Sequence, residues 1–418
     1  MSPAPDSRAL SVLEAKAPDL SAAQAEAFAQ RHFGVRGSAR ALPSERDQNF
    51  HLRGADGREF VLKIANPAED PSVLDFQSKA LLHIASVDPE LPVPHLVTTT
   101  DGAESCEIEA ADGRRSIVRL LSYLRGGVLA DARRSRELLR DVGASAARLG
   151  QALRGFFHPA SRQDLLWDLT QAPSLLKRTH AIEDPEARRL VERVLEHLAS
   201  AVMPELARMR AQVIHNDVSC MNTLVDADRV VGVIDFGDMV HAPLVCDLVV
   251  PIAELMVDVD DPFGVAMQVA AGYCAVERLS EQEIAVLYDL VAARMSMAVA
   301  IAAWRVAEHP ENRAYITAGI EGNIKALLWL ADRKSDFFRA CMRSAGGFAA
   351  SPSAPALARW LGEQAREAGA IFERDLARLR KRVLADDVPD AAALGAAVDV
   401  AIHPYGARAC RAAASAAA

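Results

Sequence analysis

Val213-Ile214-His215-Asn216-Asp217-Val218-Ser219-Cys220-Met221-Asn222, followed by Val233-Ile234-Asp235-Phe236-Gly237-Asp238, decides how this chain is read. An apolar pair leads into His-x-Asp, an Asn stands five residues after Asp217, and a second apolar run, Val230 to Ile234, delivers Asp235 thirteen residues after Asn222. Each polar residue therefore falls at a strand end or in a loop between strands. Any one piece is common by chance, because an apolar run that ends in Asp often just enters a turn. Together they supply an Asp placed to take a hydroxyl proton, with an Asn and a second Asp able to hold Mg²⁺, which are the parts phosphoryl transfer needs. His215 is read as bracing the loop through hydrogen bonds rather than reacting.

Upstream, Lys63 sits in Phe60-Val61-Leu62-Lys63-Ile64. Burying an unpaired ammonium in an apolar strand costs several kcal/mol, so Lys63 either reaches water along its stem or meets phosphate and an acidic partner. With the downstream motifs present, phosphate is the better reading. The polar groups on the following helix that could face it are Asp75 and Gln77, with Glu45, Glu69 and Asp70 as further candidates. Leu42 to Phe50 occupies the position of a loop that covers phosphates, yet it holds no G-x-G-x-x-G. Side-chain donors from Ser44, Gln48 and Asn49 are expected to replace the backbone donors that glycine would allow.

Composition narrows the class. The 418 residues are 50% hydrophobic and 25% charged, ordinary for a globular protein with room for two or three domain-sized units. A net charge of −9 provides no global positive field, so neither nucleic acid nor an anionic membrane is an expected partner. Cys106, Cys220, Cys246, Cys274, Cys341 and Cys410 form no C-x-x-C pair, which argues against a disulfide framework or zinc site. The first residues show no basic segment followed by an apolar one, and the longest apolar stretch, Leu290 to Trp304, is interrupted by Arg294 and Ser296. The expectation is a reduced, cytoplasmic protein, monomeric or homodimeric.

Periodicity predicts a helix over 21–34, short strands over 39–42, 49–53 and 60–64, a helix over 73–86, and strands over 104–109 and 116–123 around an Asp112-Gly113 turn. Beyond Arg133 helices dominate: 135–154, 161–180, 185–209, 245–257, 262–278, 281–308 and Tyr315 to about Cys341, with 355–382 a further candidate. The fold class is α+β, a small antiparallel-sheet lobe before a larger, mainly helical one. The expected divisions are an N-terminal extension at 1–20, a nucleotide-binding lobe at 21–125, a helical lobe carrying the catalytic loop and substrate site at 126–345, and a C-terminal helical extension with an Ala-rich tail at 346–418.

Lys63, His215-x-Asp217-x4-Asn222 and Ile234-Asp235-Phe236-Gly237-Asp238 resemble the aminoglycoside phosphotransferase and choline kinase-like small-molecule kinases. Within that family, Asp47-Gln48-Asn49-Phe50-His51, Val118 to Leu124, Gly237-Asp238-Met239 and His309-Pro310-Glu311-Asn312-Arg313-Ala314-Tyr315 look most like hydroxylysine kinases. The resemblance covers about residues 20 to 340. It implies a two-lobed protein-kinase-like fold, a nucleobase against Leu121, Tyr123 and Leu124, and GTP or ATP with Mg²⁺. An acceptor with an amine and a carboxylate would find acidic partners in Asp238, Asp247 and Glu254 and a guanidinium fork in Arg294. The expected activity is transfer of a γ-phosphate to 5-hydroxylysine. Aminoglycoside, homoserine or choline-like alcohols are alternative acceptors, and a non-catalytic kinase-like binding protein is the reading from another class. Two departures stand out: Asn216 occupies a position where the family usually has Gly, and the tail beyond residue 345 is longer than the pattern needs.

Overall fold

Alternation builds the first lobe. The computed structural model describes residues 17–44, 47–109, 113–308, 320–333 and 335–351. Helix α1 (Ala22–Phe33) starts at a reciprocal cap between Ser21 and Gln24 and stops at Gly34, whose φ of 69° is left-handed. It packs on one face of an antiparallel sheet ordered β1 (Gly37–Leu42), β2 (Gln48–Gly54), β3 (Glu59–Ile64), β6 (Arg115–Ser122) and β4 (Leu96–Val97), with β5 (Cys106–Glu109) also paired to β6. Ala25 and Phe33 of α1 meet Phe50, Phe60, Leu62 and Leu120 in a separate small core. Helix α2 (Pro71–Val87), capped by the Asp70 carboxylate on the Ser72 N–H, contributes Phe76 and Ile84 to the larger core shared with the second lobe.

That second lobe comprises β7 (Gly127–Val128), α3 (Arg136–Ala152), α4 (Pro185–His197), α5 (Met203–Leu206), β8 (Ala211–Ile214), β9 (Thr223–Asp226), β10 (Arg229–Val233) and β11 (Val240–Pro243), then α6 (Val245–Leu255), α7 (Pro262–Val276), α8 (Glu281–Glu308), α9 (Ile320–Ala331) and α10 (Ser335–Ala345). Helices α3 and α7 meet backbone to backbone: Gly143 lies against the Val269 carbonyl and Gly272 against that of Arg140, so closely that a Cβ at either would collide. Helix α8 is long and apolar enough to cross a membrane by length and composition, but 78% of its most apolar window is buried inside the protein.

Three expected helices differ. Residues 161–180 do not form one α-helix; Leu169–Ala181 runs as tight i→i+3 turns around Pro173, which lacks the N–H a longer ladder needs. The 185–209 helix is broken by a wider π-type turn at Leu198–Val202. The helix expected from Tyr315 to Cys341 is two, α9 and α10. Its first residues, the His309–Tyr315 motif, residues 1–16, Glu45, Asp112 and the tail from 352, including the 355–382 helix, lie outside the described residues.

Candidate active site

Two short antiparallel pairs bring the motif residues to one place. β8 pairs with β11, and β9 with β10, so the loop 215–222 leaves β8 beside the point where Asp235 leaves β10. The Ile234 N–H donates to the Asn222 carbonyl at 2.8 Å, which makes Asn222 and Asp235 neighbours. Asn222 Nδ2 donates to Asp217 Oδ2 at 2.5 Å, turning its amide oxygen away from Asp217. Across the cleft, Lys63 Nζ lies 3.8 Å from Asp235 Oδ1. On the sheet, Asn49, Lys63 and Arg119 stand opposite one another in register and therefore share one face.

Backbone conformation accounts for the unusual residue in the loop. Asn216 has φ 65° and Asp235 φ 61°, a left-handed geometry that Asn and Asp adopt more readily than other side chains. Asn216 thus keeps the conformation glycine would supply.

Helix α6 supports this loop from below. Asp247 and Glu254 are seven residues apart and so lie on one helical face. Asp247, fully buried, accepts the Asn216 N–H at 2.8 Å, and Glu254 accepts the Cys220 N–H at 2.7 Å. Burial pushes the Asp247 carboxyl up to about 6, against the backbone N–H groups of Asn216 and His215. Burial pushes His215 down to about 4, opposed by the Asp235 charge and a backbone hydrogen bond at Ile234. The ring accepts the Asp217 N–H through Nδ1 at 3.3 Å and packs edge-on against Phe236 at 4.7 Å, in keeping with a bracing role.

These two shifts oppose each other. His215 refuses a proton that the unfolded chain accepts, so between pH 6.5 and 4 acidification removes stability. Asp247 accepts a proton that the unfolded chain refuses, so between pH 6 and 3.8 acidification adds stability. Asp247→Asn keeps an acceptor for Asn216 and abolishes only the second effect. Between pH 7 and pH 4.5 the variant is expected to lose about 2 kcal/mol more stability than the parent, at about 1.4 kcal/mol per pKa unit. Urea denaturation at the two pH values measures this; equal losses would refute the assignment.

Asp217 itself is held well above the ordinary carboxylate range, first by burial and then by the charge of Asp238, with Arg294 opposing and Glu254 and Asp235 adding to the shift. Arg294 is 6% exposed; its Nη1 donates to the Trp167 carbonyl at 3.2 Å and its guanidinium stacks on the Trp167 ring at 4.5 Å. Its Nη2 lies 3.8 Å from Asp217 Oδ1 and 4.0 Å from Glu254 Oε1.

Several residues named from sequence are placed otherwise. Gln48 does not face the cleft: it points to the α1 side, where its amide exchanges two 2.8 Å hydrogen bonds with the Leu20 backbone, because strand alternation sets it opposite Asn49. Gln77 Oε1 accepts from Arg119 Nη2 at 2.8 Å rather than from Lys63. Asp75 pairs with His158 at 2.9 Å, and Asp70 caps α2. The acidic contact of Lys63 is instead Asp235. Asp247 is sealed beneath the loop, so it cannot touch an acceptor. Ser44 is exposed just after β1. Leu121 stands opposite Val61 on the Lys63 face, Tyr123 stacks on His51 at 4.1 Å, and Leu124 lies over Gly232 beside Leu224. Sequence reading missed Arg119, which is buried opposite Lys63 and held below its ordinary range by burial despite Asp47, Asp235 and Glu69. Arg119 carried the same signal as Lys63, a charge inside an apolar run, Ile117 to Leu121. Sequence reading missed Trp167 as well, to which no local pattern points. The grip of Glu254 on the loop had one signal, its seven-residue spacing from Asp247.

Among the described residues no group of three or more His, Cys, Asp or Glu could hold a metal unaided. The Asn222 amide oxygen and the half-exposed Asp235 carboxylate are nevertheless adjacent hard-oxygen donors, the set Mg²⁺ takes when phosphates and water complete its shell.

The family described as Phosphotransferase enzyme family matches residues 38–284. A hydroxylysine kinase of Danio rerio is 33% identical over 322 residues, covering 73% of this chain and 90% of the relative. Two solved structures share the fold. One is an amicoumacin kinase in complex with AMP-PNP, Ca²⁺ and Ami, at TM-score 0.56 and 14% identity, covering 72% of this chain and 93% of that one. The other is a microcompartment-associated aminopropanol kinase, at TM-score 0.51 and 21% identity, covering 78% and 99%.

Proposed function

The chain belongs to the phosphotransferase enzyme family and is a small-molecule kinase acting on an alcohol group, and from that premise we propose that it transfers the γ-phosphate of GTP or ATP to the hydroxyl of an amine-bearing metabolite, with 5-hydroxylysine the foremost acceptor. The observation that carries this reading is the convergence of Asp217, Asn222, Asp235 and Lys63 within two short hydrogen-bonded strand pairs and one cross-cleft contact.

Asp217 takes the proton of the acceptor hydroxyl as that oxygen bonds to the γ-phosphorus and the bond to the β–γ bridging oxygen breaks, releasing nucleoside diphosphate, with Asn222 keeping the Asp217 carboxylate in place. Lys63 offsets phosphate charge, with Asn49 beside it on the neighbouring strand. Asn222 and Asp235 would hold Mg²⁺, which neutralises the phosphates and orients them. Leu121, Tyr123 and Leu124 line the base end, and Asp238 faces the acceptor beside the Asp217 and Arg294 pair. The same reading divides the chain into four regions at residues 20, 125 and 345.

A nucleoside diphosphate release assay with Mg²⁺, both purine triphosphates and a panel of hydroxylated amines tests this. Turnover of 5-hydroxylysine above the other acceptors is expected; no turnover of any hydroxylated amine would overturn it. The surplus of carboxylates around Arg294 also suits a polycationic alcohol such as an aminoglycoside, which the same panel covers.

A further inference from the structure

We infer, on the reading proposed above, that Glu254 binds the acceptor's ammonium group and that the site selects alcohols whose amine lies on the carbon next to the hydroxyl. The Glu254 carboxylate is built in place: Oε2 accepts the Cys220 N–H of the loop that carries Asp217, at 2.7 Å. Its other oxygen lies 4.0 Å from Arg294 Nη2, beyond hydrogen-bonding distance, and the side chain is 34% exposed. The same Arg294 nitrogen lies 3.8 Å from Asp217 Oδ1. One immobilised nitrogen therefore lies within 4.0 Å of both carboxylates, which keeps the oxygen that takes the hydroxyl proton and Glu254 Oε1 close to each other. An acceptor that donates to both must carry its hydroxyl and its ammonium only a few bonds apart. Neighbouring carbons satisfy this, and 5-hydroxylysine has that arrangement at its side-chain end.

Charge points the same way. Asp217 and Glu254, two carboxylates, face one guanidinium. That surplus is offset by an incoming cation and worsened by an incoming anion. Arg294 is not an open fork for a carboxylate, because one of its nitrogens donates to the Trp167 carbonyl and its plane is stacked on that ring. Its place is that of a spacer that lets two carboxylates stand close together.

The test compares 5-hydroxylysine with 5-hydroxynorleucine, which keeps the hydroxyl and lacks the neighbouring amine. The unmutated enzyme is expected to prefer 5-hydroxylysine by about 10- to 100-fold in kcat/KM, the range of one charge-assisted hydrogen bond. Glu254→Gln retains an oxygen for the Cys220 N–H and loses the charge. It is expected to erase that preference through the acceptor KM while leaving the nucleotide KM unchanged. Equal use of the two acceptors by the unmutated enzyme, or an undiminished preference in Glu254→Gln, would overturn the assignment while leaving the kinase reading intact. Failure to phosphorylate any hydroxylated amine would overturn both.

Discussion

Asp217→Asn is expected to lower kcat by about 10³-fold, within the range typical of a positioned general base. Asn has the same shape, and its amide oxygen can still accept from Asn222 Nδ2, so the loop keeps its geometry. The nucleotide contacts proposed for Lys63 and Asp235 lie elsewhere, so the nucleotide KM is expected to change by less than about twofold, the signature of a loss confined to the transition state. Steady-state kinetics with a matched melting curve measure both quantities. A variant with parental kcat would remove Asp217 from the role of base; a lowered kcat accompanied by a large fall in melting temperature would make it a structural residue.

Arg210→Met is expected to destabilise the fold by about 2 kcal/mol, less than breaking a fully buried ion pair from one side, because the guanidinium is 44% exposed and partly screened by water. Arg210 donates to Glu283 through Nε at 2.7 Å, to Glu277 through Nη1 at 2.5 Å and to the Arg278 carbonyl at 2.6 Å. The two carboxylates are almost sealed, with side-chain exposures of 2% and 9%. Burial pushes Glu277 upward, and donors from Gln151, Arg210 and Arg154 outweigh it and hold the carboxyl below its ordinary value. Two further features limit the loss: Glu277 retains Arg154 at 2.6 Å, and Glu283 retains the Ser280 N–H at 2.7 Å. The loss belongs to the stranded charge rather than to a missing attraction, so Arg210→Met combined with Glu283→Gln is expected to be more stable than Arg210→Met alone. Denaturant titration of the single and double variants decides this. Because Arg210 immediately precedes β8, the same change is expected to loosen the strand that delivers His215 and Asp217.

What the sequence disclosed followed the reach of the interactions involved. His215, Asp217, Asn222 and Asp235 were legible because their spacing is local and each lies near the end of an apolar strand. Lys63 was legible because a charge within an apolar strand needs a reason. The sheet followed from alternation, and most helices from their period. Gln48 and Gln77 were misplaced because the face a strand or helix turns to the cleft depends on what packs behind it, Leu20 in one case and Arg119 in the other. Asp247 looked like an acceptor ligand because sequence does not separate a carboxylate beneath a loop from one above it. The 161–180 segment kept helical periodicity while Pro173 and the Asp168 cap gave it tighter turns. Trp167 reaches Arg294 across more than a hundred residues, which no window of sequence spans.

Helix α6 also acts as a ruler. Its two loop-holding carboxylates are separated by two turns, about 10 Å along the axis, and the chain between their partners, Asn216 and Cys220, must match that span. Inserting or deleting a residue there would leave one backbone N–H without its carboxylate, whereas side chains that point away, such as the exposed Met221, carry no such constraint. The catalytic segment is therefore locked in length and free in part of its composition, a freedom that ends wherever the rigid helix reaches up to hold it.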